Sequence, residues 1–443
     1  MLQSCDTMVA LNGASKNGQT LFAKNSDRPA EECQPLVWHE REVHPKNATV
    51  KCQFLDIPQV ETTYRHIGSR PYWCWGYEHG FNEHQVVIGN EALPAKLAPF
   101  SEPKLVGMEI LRLGLERARS AAEAVETMTG LVSQYGQGKF ENGAGVRTYD
   151  NGYIIADPQE AYVLETAGHH WAVKRVERTA GISNVYSVET DWHSLSADAE
   201  IEAIVQGWWP ADRGRFNFAA AYSATDRSQG SGAMRRARSC AVLSHRAGTI
   251  EAQTMINLLS DHGGGQAAPD NFDPVINPGT GICVHSKFEG SSGNTAASLV
   301  ADLCADGARL PVYWCSFYSP CLSLFFPLFI EGSLPAALSL GGEKPSDDSP
   351  WWRFHRLSRL AQANGGAGVS LVRTGWAEFQ GHLFETAYQI AAEGRQLQQS
   401  GQLTQLATLL DGYTAGNVSK MLQMATDMIE QLEHETAVET AMV

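Results

Sequence analysis

Hydrophobic positions recur at two periods along this chain, and the two periods alternate in blocks. The first quarter holds short segments rich in Val, Ile, Phe and Trp at 8–11, 20–23, 36–43, 50–57 and 85–89. Asn, Gly and Pro stand between them, the pattern of strands separated by turns. Asn12-Gly13 and Asn17-Gly18 are turn dipeptides between the first two segments, which predicts a hairpin. Leu105, Met108, Leu111 and Leu115 then recur at three- and four-residue spacing and predict a helix, with a second over 118–132 set off by Ser120. Strands are predicted again over 146–156, 161–166, 171–176 and 182–188, with Asp157-Pro158 turning the first into the second. Helices follow over 198–206, 234–243 and 249–259, then strands over 282–287, 295–299, 312–317 and 325–330. Residues 333–350 turn to Gly, Pro, Ser and Asp and read as a linker or long loop. Beyond it, 376–393 and 419–435 read as amphipathic helices, with Gly394 and Gly401 as interruptions. β-rich blocks bracketing helical blocks fit a layered α+β sandwich better than a parallel βαβ array. The expected organisation is a layered domain over 1–332, the linker over 333–350, and a mainly helical region over 351–443 packed on the core.

Composition narrows the function classes. The chain has 443 residues, 43% hydrophobic and 19% charged, which excludes a mostly disordered, collagen-like or coiled-coil protein. A net charge of -15 repels phosphate backbones, and the densest basic stretch is only Arg235-Arg236-Ala237-Arg238, so no nucleic-acid partner is expected. Nine cysteines at irregular spacing, with no C-x-x-C, argue against a disulfide framework and for a reducing, cytoplasmic setting. Met1-Leu2-Gln3-Ser4 shows no secretory pattern. The apolar stretch 321–330 is broken by Ser323 and Pro327 and is far shorter than the ~20 residues that span a bilayer, so no stable membrane insertion is expected. Walker A, G-x-G-x-x-G, H-E-x-x-H and G-x-S-x-G are absent. His39-Glu40 leads to His44, one residue too far to place both imidazoles on one helical face. No cofactor and no metal is expected. Cys283 reads as a packing residue and His285 as a core histidine.

Cys5 is the nucleophile candidate. It lies at the edge of the first predicted strand, where a small buried hydrophobe is the plain reading. The functional reading is an N-terminal nucleophile, in which loss of a short leader frees an α-amine beside the thiol. That amine, with a pKa near ~8, can take the thiol proton without a histidine. The hairpin brings the segment Lys24-Asn25-Ser26-Asp27-Arg28 back beside Cys5. Asp27 is placed to hold the new α-ammonium, and the cation of Lys24 or Arg28 is expected to depress the thiol pKa. Asn90 stands where the segment from Asn82 ends in polar residues, and Asn184 follows Gly181-Ile182-Ser183; asparagine amides are suitable oxyanion donors.

With these residues the chain resembles the secernins, in the dipeptidase family of N-terminal-nucleophile hydrolases known as peptidase family C69. The matching stretches are Cys5-Asp6-Thr7, Lys24 to Arg28, Asn82-Glu83 to Gly89-Asn90-Glu91, and Leu111 to Ala118. Further matches are Tyr135 to Gly138, Leu164 to Gly168 with Trp171, Ile182 to Asn184, Cys283-Val284-His285 and Thr295 to Ser298. They keep their order over roughly the first three quarters of the chain. Trp314 to Pro327 and Trp352 to His355 still look like the family, and the tail after Gly375 matches loosely. The resemblance implies a four-layer αββα sandwich with a helical C-terminal extension, and a likeness to penicillin V acylase and bile salt hydrolase. It implies Cys5 as nucleophile and Asp27 as the aspartate of an Arg-Asn-x-Asp segment. Lys24 stands at that segment's arginine and keeps the charge without the guanidinium fork. Asn184 matches the oxyanion asparagine, Asn90 a second asparagine, and Arg235 a later active-site arginine. The implied activity is cysteine-type hydrolysis of dipeptides. An amidase for acyl-amino acids and a non-enzymatic regulator of exocytosis stay open beside it. The expected partner is a small peptide or amide, and a homo-oligomer stays open.

Overall fold

The protein is described here by a computed structural model over residues 4–143, 145–263, 281–286 and 293–441. The predicted hairpin forms the centre of one sheet. Its first strand, β1, is Cys5–Ala10, and its second, β2, is Leu21–Pro29. They pair antiparallel with Cys5 opposite Ser26 and Ala10 opposite Leu21. Beyond β2 the sheet continues through Gly293–Asp302, Val312–Phe317 and Phe326–Leu328, and on the other side β1 pairs with Thr179–Ile182.

A second, eight-stranded sheet stacks on the first. Its order is Ser194–Leu195, His170–Arg175, Ala161–Ala167, Asp150–Ala156, Val87–Leu93, His79–Asn82, His66–Ser69 and Leu36–His39. β1 lies against Val87–Leu93 and Asp150–Ala156 across the interface. Side chains alternate across a strand, so Thr7 faces the second sheet and bonds Glu91, while Asp6 faces outward to Arg235.

Helices cover both outer faces. α1, Gly107–Arg117, and α2, Ala121–Tyr135, lie on the eight-stranded sheet. The Ser120 hydroxyl accepts from Glu123 N at 3.2 Å and starts α2, as the sequence predicts for that break. Helices Ser231–His245 and Ala252–Leu259 lie on the six-stranded sheet. The result is the expected αββα layering, in which both sheets have two covered faces. Three further helices, Pro350–Ala363, Gly365–Gln399 and Leu403–Ala441, pack on one another and on the Val312–Phe317 and Phe326–Leu328 strands. Among the described residues, no helix is long and apolar enough to cross a membrane.

Several elements differ from the sequence pattern. The segment 36–43 breaks into Leu36–His39 and Glu42–Val43, and 50–57 becomes a small hairpin of Thr49–Lys51 with Asp56–Pro58. The predicted strand over 182–188 stops at Ile182, and 282–286 is not a strand; Lys287 lies outside the described residues, as do Met1, Leu2 and Gln3 of the expected leader. The strand predicted to end before Asn90 runs on to Leu93, so Asn90 and Glu91 are interior strand residues and not an end cap. Gly394 does not interrupt its helix. It sits where a Cβ would come 2.7 Å from Leu310 Cδ1, so close packing explains its presence.

Candidate active site

Polar residues inside fully covered strands mark the site. Asp6, Thr7, Lys24, Asn25, Ser26, Asp27 and Arg28 are all buried in β1 and β2. Burying that many polar groups is unfavourable unless each finds a partner, so the partners define the local design. Lys24 reaches between the sheets to Glu91 at 3.6 Å, and Glu91 also accepts from the Thr7 hydroxyl. Gly89 makes room for this, since a Cβ there would lie 2.9 Å from Lys24 Cδ. Burial opposes the Lys24 charge, but attraction to the acidic groups packed around it, Glu91 and Glu78 among them, favours the ammonium form.

Cys5 begins β1 with 3% of its surface exposed. Its sulfur receives the Asp27 backbone N–H at 3.3 Å. Its own backbone nitrogen donates to Asn184 Oδ1 at 2.8 Å, and its carbonyl accepts from the Ser183 hydroxyl at 3.1 Å. Ser183 and Asn184 follow directly on the strand that pairs with β1, which is why they arrive at its start. Arg235, 2% exposed, comes from the helix above. Its Nη2 donates to Asn184 Oδ1 at 2.8 Å and Ser183 Oγ at 2.9 Å, and its Nε lies 3.2 Å from Asp6. The helix approaches this closely because Gly181 has no Cβ; one there would meet Ser239 Oγ at 2.4 Å. Arg238, by contrast, pairs with Asp261, so Arg235 is the arginine of that cluster that meets Cys5's surroundings.

Asp27 accepts from the Thr295 hydroxyl at 2.6 Å through Oδ1, while its Oδ2 has no hydrogen-bond partner. Burial raises its carboxyl to about 7, against the opposing pull of Arg235. Burial likewise raises Asp6 to about 6. Asn90 is buried next to Glu78, and the amide orientation that satisfies it donates to Glu78 O at 2.8 Å and Oε2 at 3.0 Å. Glu78 in turn pairs with Arg28 at 3.1 Å.

Two expectations need correction. The Cys5 thiol was expected to have a depressed pKa. Burial instead pushes it well above the usual thiol range, and the nearby Lys24 charge only partly offsets this. With residues still attached before it, Cys5 is a protonated, covered thiol, and preferential alkylation is not expected of that form. The second concerns Asn184. Two donors fix its oxygen toward Cys5 N and Arg235, so its Nδ2 points away, to Ala92 O at 3.0 Å. An amide donor aimed at the Cys5 side is therefore not what this form presents.

Of the residues predicted for the site, Cys5, Lys24, Asp27, Asn184 and Arg235 come together, and Asn90 lies outside them, bonded to Glu78, which pairs with Arg28. Asp6, Glu78, Glu91, Ser183 and Thr295 belong to the same network and were not singled out. Their signal was present as charged residues inside apolar strand patterns, Asp6 before Met8-Val9-Ala10 and Glu91 before Ala92-Leu93.

The raised Asp27 carboxyl gives a test with a definite sign. A group whose folded pKa lies above its unfolded value stabilises the fold at low pH and loses that contribution as pH rises through about 7. Asparagine mimics the protonated form at every pH. In a Cys5→Ala chain, Asp27→Asn should therefore raise Tm least near pH 4 and by a growing amount up to about pH 7, where the gain levels off. Thermal melts of the two chains across that range check this, and a difference independent of pH would contradict the raised carboxyl.

A cysteine thus opens the central hairpin of the αββα sandwich. The sequence model of peptidase family C69 matches residues 4–241, more than half of the chain, and this protein belongs to that family. It is 26% identical over 206 residues to a dipeptidase of Bifidobacterium longum, a match covering 41% of this chain and 36% of that protein. It is 26% identical over 189 residues to a probable dipeptidase of Latilactobacillus sakei, covering 40% and 37%. The match thus spans little more than a third of the length of these relatives. Among solved structures, a mutant of the conjugated bile acid hydrolase from Clostridium perfringens aligns at 13% identity over 71% of this chain and 89% of that one, with a TM-score of 0.38. An N-acylethanolamine-hydrolyzing acid amidase ortholog of Caenorhabditis elegans aligns at 14% identity over 48% and 81%, with a TM-score of 0.26.

Proposed function

We propose that this protein is a cysteine-type dipeptidase whose nucleophile is Cys5 and whose general base is the α-amine of Cys5, freed when the preceding residues are removed. The observation that carries the reading is the treatment of the Cys5 backbone nitrogen. It is held at 2.8 Å by the Asn184 carbonyl oxygen, which Arg235 also fixes, beside a sulfur that receives Asp27 N–H. A buried amide needs only one such acceptor; an α-ammonium needs more, and Asp27 Oδ2 lies in the same network without a donor. Charge supports this. Arg28 is shared between Glu32 and Glu78, and the acids Asp6, Asp27 and Glu91 face only the cations Lys24 and Arg235, so acids outnumber cations around Cys5. A freed α-ammonium adds a positive charge there and would draw the Asp27 carboxyl back down into its ionised form.

In the reaction the free amine takes the thiol proton and the thiolate attacks the peptide carbonyl. The resulting ammonium passes its proton to the leaving amine as the peptide bond breaks. Water, deprotonated by the same amine, then releases the acyl group and restores the thiol. Lys24 favours the thiolate through its charge. Asn184 is assigned first to holding the amine. A role for its Nδ2 at the oxyanion, with a donor near Asn90, requires that Nδ2 leave Ala92 O.

Turnover of a panel of dipeptides and N-acyl amides, measured on chain whose first residue is established by intact mass, tests this. Dipeptides should be hydrolysed only by chain that begins at Cys5. Equal turnover by chain still carrying earlier residues would sink the free-amine base. Preference for N-acyl amides would move the substrate class, and no turnover by processed chain would remove the hydrolase reading.

A further inference from the structure

Four side chains outside the Cys5 network converge on one point. His262 follows the helix Ala252–Leu259, Cys283 and His285 lie on the segment before the Gly293–Asp302 strand, and Cys321 sits in the Pro320–Leu322 turn. His262, Cys283 and His285 are buried and Cys321 is half-buried. Their ligand-type atoms all lie within 4.8 Å of one another. His285 Nε2 is 3.2 Å from His262 Nε2, 3.3 Å from Cys283 Sγ and 3.3 Å from Cys321 Sγ.

Hydrogen bonding does not account for this arrangement. An imidazole Nε2 has one hydrogen or one lone pair, so it can bond one of three neighbours and not all of them. A cation at the centre satisfies every atom together. Zinc bonds of 2.0–2.1 Å to nitrogen and 2.3 Å to sulfur imply tetrahedral edges of about 3.3 Å between nitrogens and about 3.5 Å between nitrogen and sulfur. The three contacts fall within a few tenths of an ångström of those edges. The far ring nitrogen, His285 Nδ1, lies 3.4 Å from Ser319 Oγ, the type of outer contact that orients a ligating histidine. Two thiolates and two neutral imidazoles also balance a divalent cation, so the set can be buried without net charge.

From this convergence of His262, Cys283, His285 and Cys321 we propose a structural, tetrahedral zinc site with four protein ligands and no open position. The four residues are spread along the chain, so no local spacing marks them as a set. His262 and His285 are 23 positions apart, and His285 and Cys321 are 36 apart. All four ligands also lie beyond the segment that the family model matches.

The site has a mechanical link to Asp27. Val284, between two of the ligands, donates its N–H to Thr295 Oγ1 at 3.0 Å and accepts Thr295 N–H at 2.9 Å. The Thr295 hydroxyl then donates to Asp27 Oδ1. Zinc clamps the end of the helix, the Cys283–His285 segment and the Cys321 turn together behind that threonine. It is a support for the Cys5 network and takes no part in bond making.

The test uses the full, untagged chain, kept in reductant and stripped of weak metal by dialysis. Elemental analysis should find one zinc per chain. Cobalt(II) added to chelator-stripped chain should give the visible bands of tetrahedral cobalt with thiolate charge transfer. Cys321→Ser, at a half-buried position, should weaken zinc retention against a competing chelator by more than the roughly 10- to 100-fold that loss of an outer-shell partner costs. Cys240→Ser should not change it. Circular dichroism on the same samples confirms that each variant is folded. Wild-type chain that retains no zinc and gives only octahedral cobalt would overturn the proposal, as would unchanged retention in Cys321→Ser. A Cys283–Cys321 disulfide that persists in reductant and excludes zinc would overturn it equally.

Discussion

Cys5→Ala should yield a folded chain that hydrolyses no dipeptide and still carries every residue ahead of position 5. Alanine keeps the β1 backbone, so Cys5 N–H to Asn184 Oδ1 and Ser183 Oγ to the carbonyl survive. The sulfur and its contacts with Asp27 N and O are lost, and the melting temperature should shift by a few degrees at most. Function should fall to the assay floor. Removing the nucleophile from a hydrolytic unit that acts as a whole costs on the order of a millionfold in turnover. Processing should stop as well, if the thiol itself attacks the preceding carbonyl. Intact mass and dipeptide turnover on one preparation read both effects. Residual hydrolysis above about one part in a thousand of wild type would remove Cys5 as nucleophile.

Arg235→Met should produce the largest loss of stability of any single change near the site. Methionine replaces the length of the arginine stem but leaves Asp6, fully buried, without its cation. Breaking a buried pair by removing one partner typically costs about 3–5 kcal/mol. The loss should depend on pH. Asp6 is already raised to about 6 by burial with Arg235 present, and its removal raises it further. Such an acid stabilises the fold below its unfolded pKa and loses that contribution as pH rises through the folded value. The variant should therefore be closer to wild type at pH 5 than at pH 8. Asp6→Asn in the Arg235→Met background should recover much of the difference, because no charge is then left unpaired. Urea denaturation of wild type, Arg235→Met, Asp6→Asn and the double variant at the two pH values measures it. Full stability of Arg235→Met at pH 8 would show that the arginine and Asp6 are not coupled.

Much of the fold could be read from local pattern. The β1–β2 hairpin followed from turn dipeptides between two apolar runs, and α1 and α2 from three- and four-residue spacing with Ser120 between them. The strands His66–Ser69 and His79–Asn82 gave no such signal. Their histidines and Asn82 are buried by tertiary contacts, as when His66 bonds the Tyr77 hydroxyl and Asn82 bonds carbonyls at the end of α1, and no alternation shows in the sequence. The helix Pro350–Ala363 falls in the region expected to be mainly helical, but its bounds were not drawn although Ser349 caps it and proline opens it, because that start adjoins a run that reads as loop. In the site, Lys24 and Asp27 were legible because the hairpin returns them to Cys5. Asn184 stood out only as an asparagine after an apolar segment, its place beside Cys5 coming from the family resemblance, and Arg235 was reachable through that resemblance alone. They arrive from a later strand and from a helix of the outer layer, and pairing across more than a hundred and fifty residues leaves no local trace.

The irregularity in the pairing of β2 with Gly293–Asp302 bears on how this protein can be recombined. Thr295 stands opposite Asp27 and Ala297 opposite Ser26, so Ala296 is the extra residue of a bulge. The Ala296 carbonyl, turned out of the ladder, accepts from Tyr318 N and from Trp351 Nε1 of the first C-terminal helix. One side of the bulge thus sets Asp27 and the other moors a helix more than fifty residues later. The segment that the family model matches contains Cys5, Asn184 and Arg235 but neither Thr295 nor Trp351. As a graft it would arrive with β2 as a bare edge strand and its aspartate untethered. In modular terms, the natural cut for transplanting this chemistry lies after the strand that carries the bulge and the helix anchored to it, and a chimera joined at the boundary of the matched segment should be insoluble.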